Sequence, residues 1–121
     1  MNSKIAAGLK KAGVAKAQKH LFVCIGPDCC KSREGEVLWE FMKDRLKFAG
    51  VPVMRTKAGC FRICEGGPWL VVYPEGTWYG GVTPLRFERI LREHILGGEP
   101  VQEWVTTQNC LGCNMDEHQA G

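Results

Sequence analysis

Seven cysteines in a chain of 121 residues pose the chemical question: Cys24, Cys29, Cys30, Cys60, Cys64, Cys110 and Cys113. Free cysteines used as small core residues would scatter along strands and helices. These fall in three tight groups bounded mostly by Gly, Pro, Asp and Asn. A disulfide framework suits small secreted chains that are short of core, and this chain is long enough to build one. Thiols grouped in the loops of an intracellular protein point to a metal site. Zinc ribbons use paired C-x2-C knuckles, whereas Cys24–Cys29 is C-x4-C and Cys60–Cys64 is C-x3-C. Thiolates without a nearby carboxylate or imidazole favour iron–sulfur ligation over zinc, and zinc stands as the alternative.

The two pairs are about 30 residues apart, so only the fold can bring them together. The run "HLFVCI" (residues 20–25) is apolar and rich in strand formers, and "GPD" ends it. From Gly35 to Gly50, apolar residues recur at Val37, Leu38, Phe41, Met42, Leu46 and Ala49, which is helical periodicity on one face. "VPVMRT" follows as a short strand, with Pro52 suggesting a sheet edge. Beyond the second cysteine pair, "WLVVY" (residues 69–73) reads as a central strand, "PEG" as a turn and "TWYGGV" as its hairpin partner. In the final helix Thr83 is placed to cap the start, Pro84 suits the first turn, and Gly97 suits the end. The order predicts a small α/β domain with a mixed four-stranded sheet and two main helices. Cys24 then ends the first strand, Cys29 lies before the first helix, and Cys60 and Cys64 occupy the loop before the third strand.

The net charge of +3 is uneven. Lys4, Lys10, Lys11, Lys16 and Lys19 occupy the first twenty residues without one acidic group, while the rest of the chain is slightly acidic. With only Ile5, Leu9 and Val14 as larger apolar residues, this arm reads as a solvated, partly helical segment. No aromatics are interleaved with its lysines, which argues against nucleic acid. It lacks the continuous apolar core of a secretory signal, and no run is long enough to span a bilayer, so a cytoplasmic protein without membrane insertion is expected.

Three stretches together resemble a known family: "HLFVCIGPDCC", "GCFRICEGGPWLVVYPEGTWYGGVTP" and "ILREHILGGEPVQEWV". They are similar to the thioredoxin-like [2Fe-2S] ferredoxins, which share their cluster domain with the small iron–sulfur subunit of respiratory complex I. The resemblance spans residues 20–105 and implies a thioredoxin-like fold holding one [2Fe-2S] cluster on four cysteines from two loops. Matched residue by residue, it assigns Cys24, Cys29, Cys60 and Cys64 as ligands. Cys30 stands beside Cys29 as a neighbour able to substitute for it. The resemblance further implies a homodimeric one-electron carrier that serves redox partner proteins. Gly26, Gly59, Gly66 and Gly67 are expected to let backbone N–H groups approach the sulfurs, and all-cysteine ligation implies a low potential. Pro68 stands either where thioredoxin-like folds place a cis proline or as a plain strand opener.

Residues 1–19 thus form a basic arm, 20–105 the cluster domain, and 106–121 a tail. The tail's Cys110-x2-Cys113 lies beyond the family pattern. It reads as cysteines without a cluster role, a disulfide or redox pair, or a metal site with His118. Trp69, Trp78 and Tyr79 read as core or interface aromatics, and His94 as a surface or half-buried residue that is not a ligand. No catalytic set stands out, so a carrier and not an enzyme is expected. The alternatives are a zinc-binding structural or docking module, and a thiol–disulfide redox protein using the tail.

Overall fold

The computed structural model describes residues 2–63 and 65–111. Five strands form one sheet: β1 (Lys19–Cys24), β2 (Val53–Ala58), β3 (Trp69–Tyr73), β4 (Thr77–Tyr79) and β5 (Val105–Gln108). Their spatial order is β2-β1-β3-β4-β5. The β1–β2 pair is parallel, because helix α2 (Ser32–Ala49) supplies the crossover that parallel pairing needs. All other neighbours pair antiparallel. The mixed α/β architecture and the edge position of β2 agree with the sequence, but the sheet has five strands, not four. The extra strand "VTTQ" is short and largely exposed, so it carries no alternation of its own. Pairing with β4 places it, and it crosses residue 105, the expected end of the domain.

The core lies on one side of the sheet. Leu21 and Val23 of β1 and Leu70 and Val72 of β3 meet Leu38, Met42 and Leu46 of α2, with Phe87 and Ile90 of α3 (Pro84–Ile90). The α2 stripe departs from expectation at Val37, which is exposed. The helix also starts three residues earlier, at Ser32, so Gly35 lies inside its first turn. A Cβ at Gly35 would stand 2.3 Å from the Ile25 carbonyl oxygen, so glycine lets α2 press on the chain leaving β1. As expected, Thr83 caps α3, accepting from the Arg86 N–H at 3.2 Å, and Gly50 ends α2 in the left-handed conformation.

On the other side of the sheet, Phe22, Val71 and Trp78 fall in register across three strands. His20 stacks on Phe22 at 4.3 Å, and Phe61 meets Trp78 edge-on at 5.6 Å. The basic arm forms helix α1 (Ser3–Ala12), capped by Asn2 and Gly13, with no buried residue. Among the described residues, no helix is long and apolar enough to cross a membrane.

His94 corrects the sequence expectation of a surface or half-buried residue: its exposure is 0%. After α3 the chain widens into a π-helical turn, Leu91–Leu96, which carries His94 inward. The Val101 N–H donates to the Tyr79 hydroxyl at 3.0 Å, and that hydroxyl lies 2.8 Å from His94 Nδ1. The hydroxyl proton therefore goes to Nδ1, which leaves Nε2–H to donate to Glu75 at 2.5 Å. Lys19 completes the chain with a 2.8 Å ion pair to Glu75. Burial lowers the His94 pKa, outweighing the attraction of Glu75, so the ring is neutral.

Candidate metal centre

Two loops meet at the end of the sheet where β1 stops. Cys24 is the last residue of β1, opposite Ala58 of β2 on one side and Trp69 of β3 on the other. That register brings the β1–α2 loop and the β2–β3 loop into contact. The Cys24 thiol lies 3.7 Å from the Gly59 carbonyl oxygen, next to Cys60. The Ile25 N–H donates to the Ala58 carbonyl at 3.0 Å, and the Gly67 N–H to the Cys29 carbonyl at 2.9 Å. Residues on both sides of Cys64 are thereby held beside Cys24 and Cys29, while Cys64 itself lies outside the described residues.

The thiols differ in exposure. Cys24 and Cys29 are buried, Cys30 is half-buried and Cys60 is exposed. The Cys29 thiol donates to the Cys24 carbonyl at 3.6 Å and lies 3.8 Å from the Cys30 sulfur. Burial pushes the Cys29 thiol up to about 12, helped by these neighbours. Burial also raises Cys30. A metal taken up here must displace those protons, so loading releases acid.

Gly67 shows how closely the loops approach. A Cβ on it would come within 2.9 Å of the Cys29 sulfur and of its carbonyl oxygen. Gly26, at φ +87°, allows a similar approach to Cys30. The expectation that glycine N–H groups face the sulfurs is not met at Gly67, whose N–H goes to the Cys29 carbonyl, while the Arg62 N–H lies 3.0 Å from Cys60 Sγ. Arg62 adopts φ 68°, in the left-handed region that costs a side chain about 1 kcal/mol or more. No sequence signal marked it, because Arg is not a residue that region favours. The Gly67–Pro68 peptide is cis and stands directly before β3.

The donor set fits an iron–sulfur cluster. The described donors gathered at this end are soft thiols on two loops, the backbone around them admits close approach, and one N–H already faces a sulfur. Among the described residues, no group of three or more His, Cys, Asp or Glu stands ready to grip an ion by itself. Cys110 is disulfide-bonded; Cys113 and His118 of the tail lie outside the described residues.

Comparison with known proteins gives a consistent result, although no family model matches the chain. A 2Fe-2S ferredoxin from Aquifex aeolicus is 35% identical over 102 residues, covering 74% of this chain and 90% of that protein. One from Clostridium pasteurianum is 38% identical over 92 residues, covering 69% and 90%. A solved thioredoxin-like [2Fe-2S] ferredoxin from Aquifex aeolicus superposes with a TM-score of 0.69 at 31% identity, covering 77% of this chain and 94% of its own.

Proposed function

Because this chain belongs to the thioredoxin-like [2Fe-2S] ferredoxins, we propose that it is a one-electron carrier whose cluster sits between the β1–α2 and β2–β3 loops. The observation that carries this reading is the contact of those loops, with Cys24 against Gly59 and Cys29 against Gly67. The proposed ligands are Cys24, Cys29, Cys60 and Cys64, with Cys30 as the adjacent reserve. When bound, the cluster takes up and gives back one electron while its ligands stay in place.

The chain's own residues do the rest. Cys24 is fixed by strand pairing on both sides, which makes it the rigid ligand. Among the described ligands Cys60 is the exposed one, and the Arg62 N–H stabilises negative charge on its sulfur. The exposure at Cys60 gives redox partner proteins a side on which to approach. The protein is a carrier and not an enzyme: its site offers ligation and an open edge.

The proposed organisation has residues 1–19 as a basic arm and a cluster domain from residue 20 that runs past 105 to take in β5, with the tail beyond it. The proposed assembly is a homodimer, the arrangement that the resemblance to the thioredoxin-like [2Fe-2S] ferredoxins implies. The proposed compartment is the cytoplasm, supported by the free thiols of Cys24, Cys29, Cys30 and Cys60.

Stepwise reduction of the anaerobic protein tests the function. One electron per chain, with bleaching of the visible bands and a paramagnetic reduced state, is the expected result. A colourless zinc protein that accepts no electron would leave only a structural module.

A further inference from the structure

Trp69 opens β3 directly across from Cys24, so the two side chains leave the sheet on the same face. The indole Nε1–H donates to the Glu65 carbonyl at 2.8 Å. The ring fills the space between two glycines. A Cβ on Gly66 would stand 3.4 Å from Cζ2, and one on Gly80 would stand 2.9 Å from Cη2. Gly66 in turn accepts from the Gly81 N–H at 2.7 Å, and Gly67 donates to the Cys29 carbonyl at 2.9 Å. Residues 65–67 are therefore pinned from three directions: by the indole, by the end of β4, and by the backbone of Cys29.

Of these three anchors, only the indole is a side chain. The other two follow from the path of the backbone and need no particular residue at the donor. A hydrogen bond from an aromatic to the loop carbonyl fixes the loop's distance from β3. That distance governs how firmly thiolates of the adjoining loop hold a cluster.

We propose that Trp69 is a positioning residue for the cluster, holding residues 65–67 against Cys29. The proposal rests on the cluster reading above and concerns a residue outside the ligand set.

The test compares wild type, Trp69→Phe and Trp104→Phe as holoproteins after reconstitution. Iron release into excess chelator is followed at the visible bands, the reduced state is examined by electron paramagnetic resonance, and melting of the apo form is measured separately. Trp69→Phe keeps an aromatic ring but loses the N–H, and its cluster should leave roughly tenfold faster, the scale of one lost hydrogen bond to the loop. Its reduced-state g values should shift, while its apo melting temperature falls no further than that of Trp104→Phe. Replacing Trp69 with benzothienylalanine, which keeps the double ring without the N–H, should give faster release with a smaller change in g values. Release and g values unchanged in Trp69→Phe would overturn the proposal, as would faster release matched by an equal loss of apo stability. A wild type that binds no iron would defeat the cluster reading itself before any variant is compared.

Discussion

The two ends of strand β1 are held together by opposite means. At the Cys24 end, backbone hydrogen bonds, glycine seats and thiols do the joining, and buried side-chain polar chemistry is sparse. At the Lys19 end, a continuous side-chain network runs from Lys19 through Glu75, His94 and Tyr79 to the Val101 N–H. The ends are about 17 Å apart, from five steps of a strand. The first arrangement suits a guest, with free thiols gathered where two loops meet. The second needs no guest: no buried side-chain nitrogen or oxygen among the described residues lacks a partner. A fold divided this way can bind or lose its cluster without losing its frame.

Substitution at the two ends should separate them most sharply. Cys24→Ala removes the proposed ligand that two strands hold in place, and iron content should fall at least roughly tenfold. The apo fold should persist, as seen by far-UV circular dichroism. If Cys24→Ala loaded iron normally, the site would have been placed wrongly. A contrast between Cys29→Ser and Cys30→Ser sharpens the ligand set. The first should lower cluster yield strongly and leave only what Cys30 rescues, and the second should leave it near wild type. The reverse order would exchange their roles.

Breaking the other end should cost stability and not iron. His94→Ala strands the Tyr79 hydroxyl and the Glu75 carboxylate, an expected loss of about 3 kcal/mol in the apo protein. Urea unfolding measures it, and cluster yield at low temperature should be unchanged. Acid should act through the same network. His94 is held neutral below its ordinary value of 6.5 by burial, so below that pH the unfolded chain takes a proton that the folded chain refuses. Burial alone would raise the Glu75 carboxyl, but hydrogen bonds from Lys19 and His94 outweigh it and hold it low. Its contribution disappears at more acidic pH still. The apo melting temperature should therefore be highest near neutrality and fall as pH drops below about 6.5. In His94→Gln, the fall beginning near 6.5 should flatten. The smallest effect is expected at Arg45, whose bidentate pair with Glu88 is one-third exposed, so that Arg45→Ala should cost under about 1 kcal/mol.

The same division explains what could be read from the sequence. Periodicity and turn chemistry marked α2, α3 and strands β1 to β4, because each carries its own apolar face or cap. Strand β5 carries neither, and only its pairing with β4 defines it. The cysteine groups were legible from their spacing, and the family resemblance assigned them. The parts that support them were not legible. Arg62 reaches Cys60 through a backbone conformation that its residue type disfavours, and the local bond from the Trp69 indole to the Glu65 carbonyl depends on the path of the loop, which no periodicity or turn motif marks. The burial of His94 escapes the sequence for a related reason: nothing in "LREHILGG" announces the π-helical turn that carries it inward.

The most direct measurement is an absorption spectrum of the anaerobically purified protein, with iron and acid-labile sulfide counted per chain. A [2Fe-2S] carrier predicts broad visible bands that bleach on reduction, with about two irons and two sulfides in each chain. Zinc in place of iron, with no visible absorption, would contradict the electron-carrier function. Four irons per chain would contradict a single site and bring the tail cysteines into a second one.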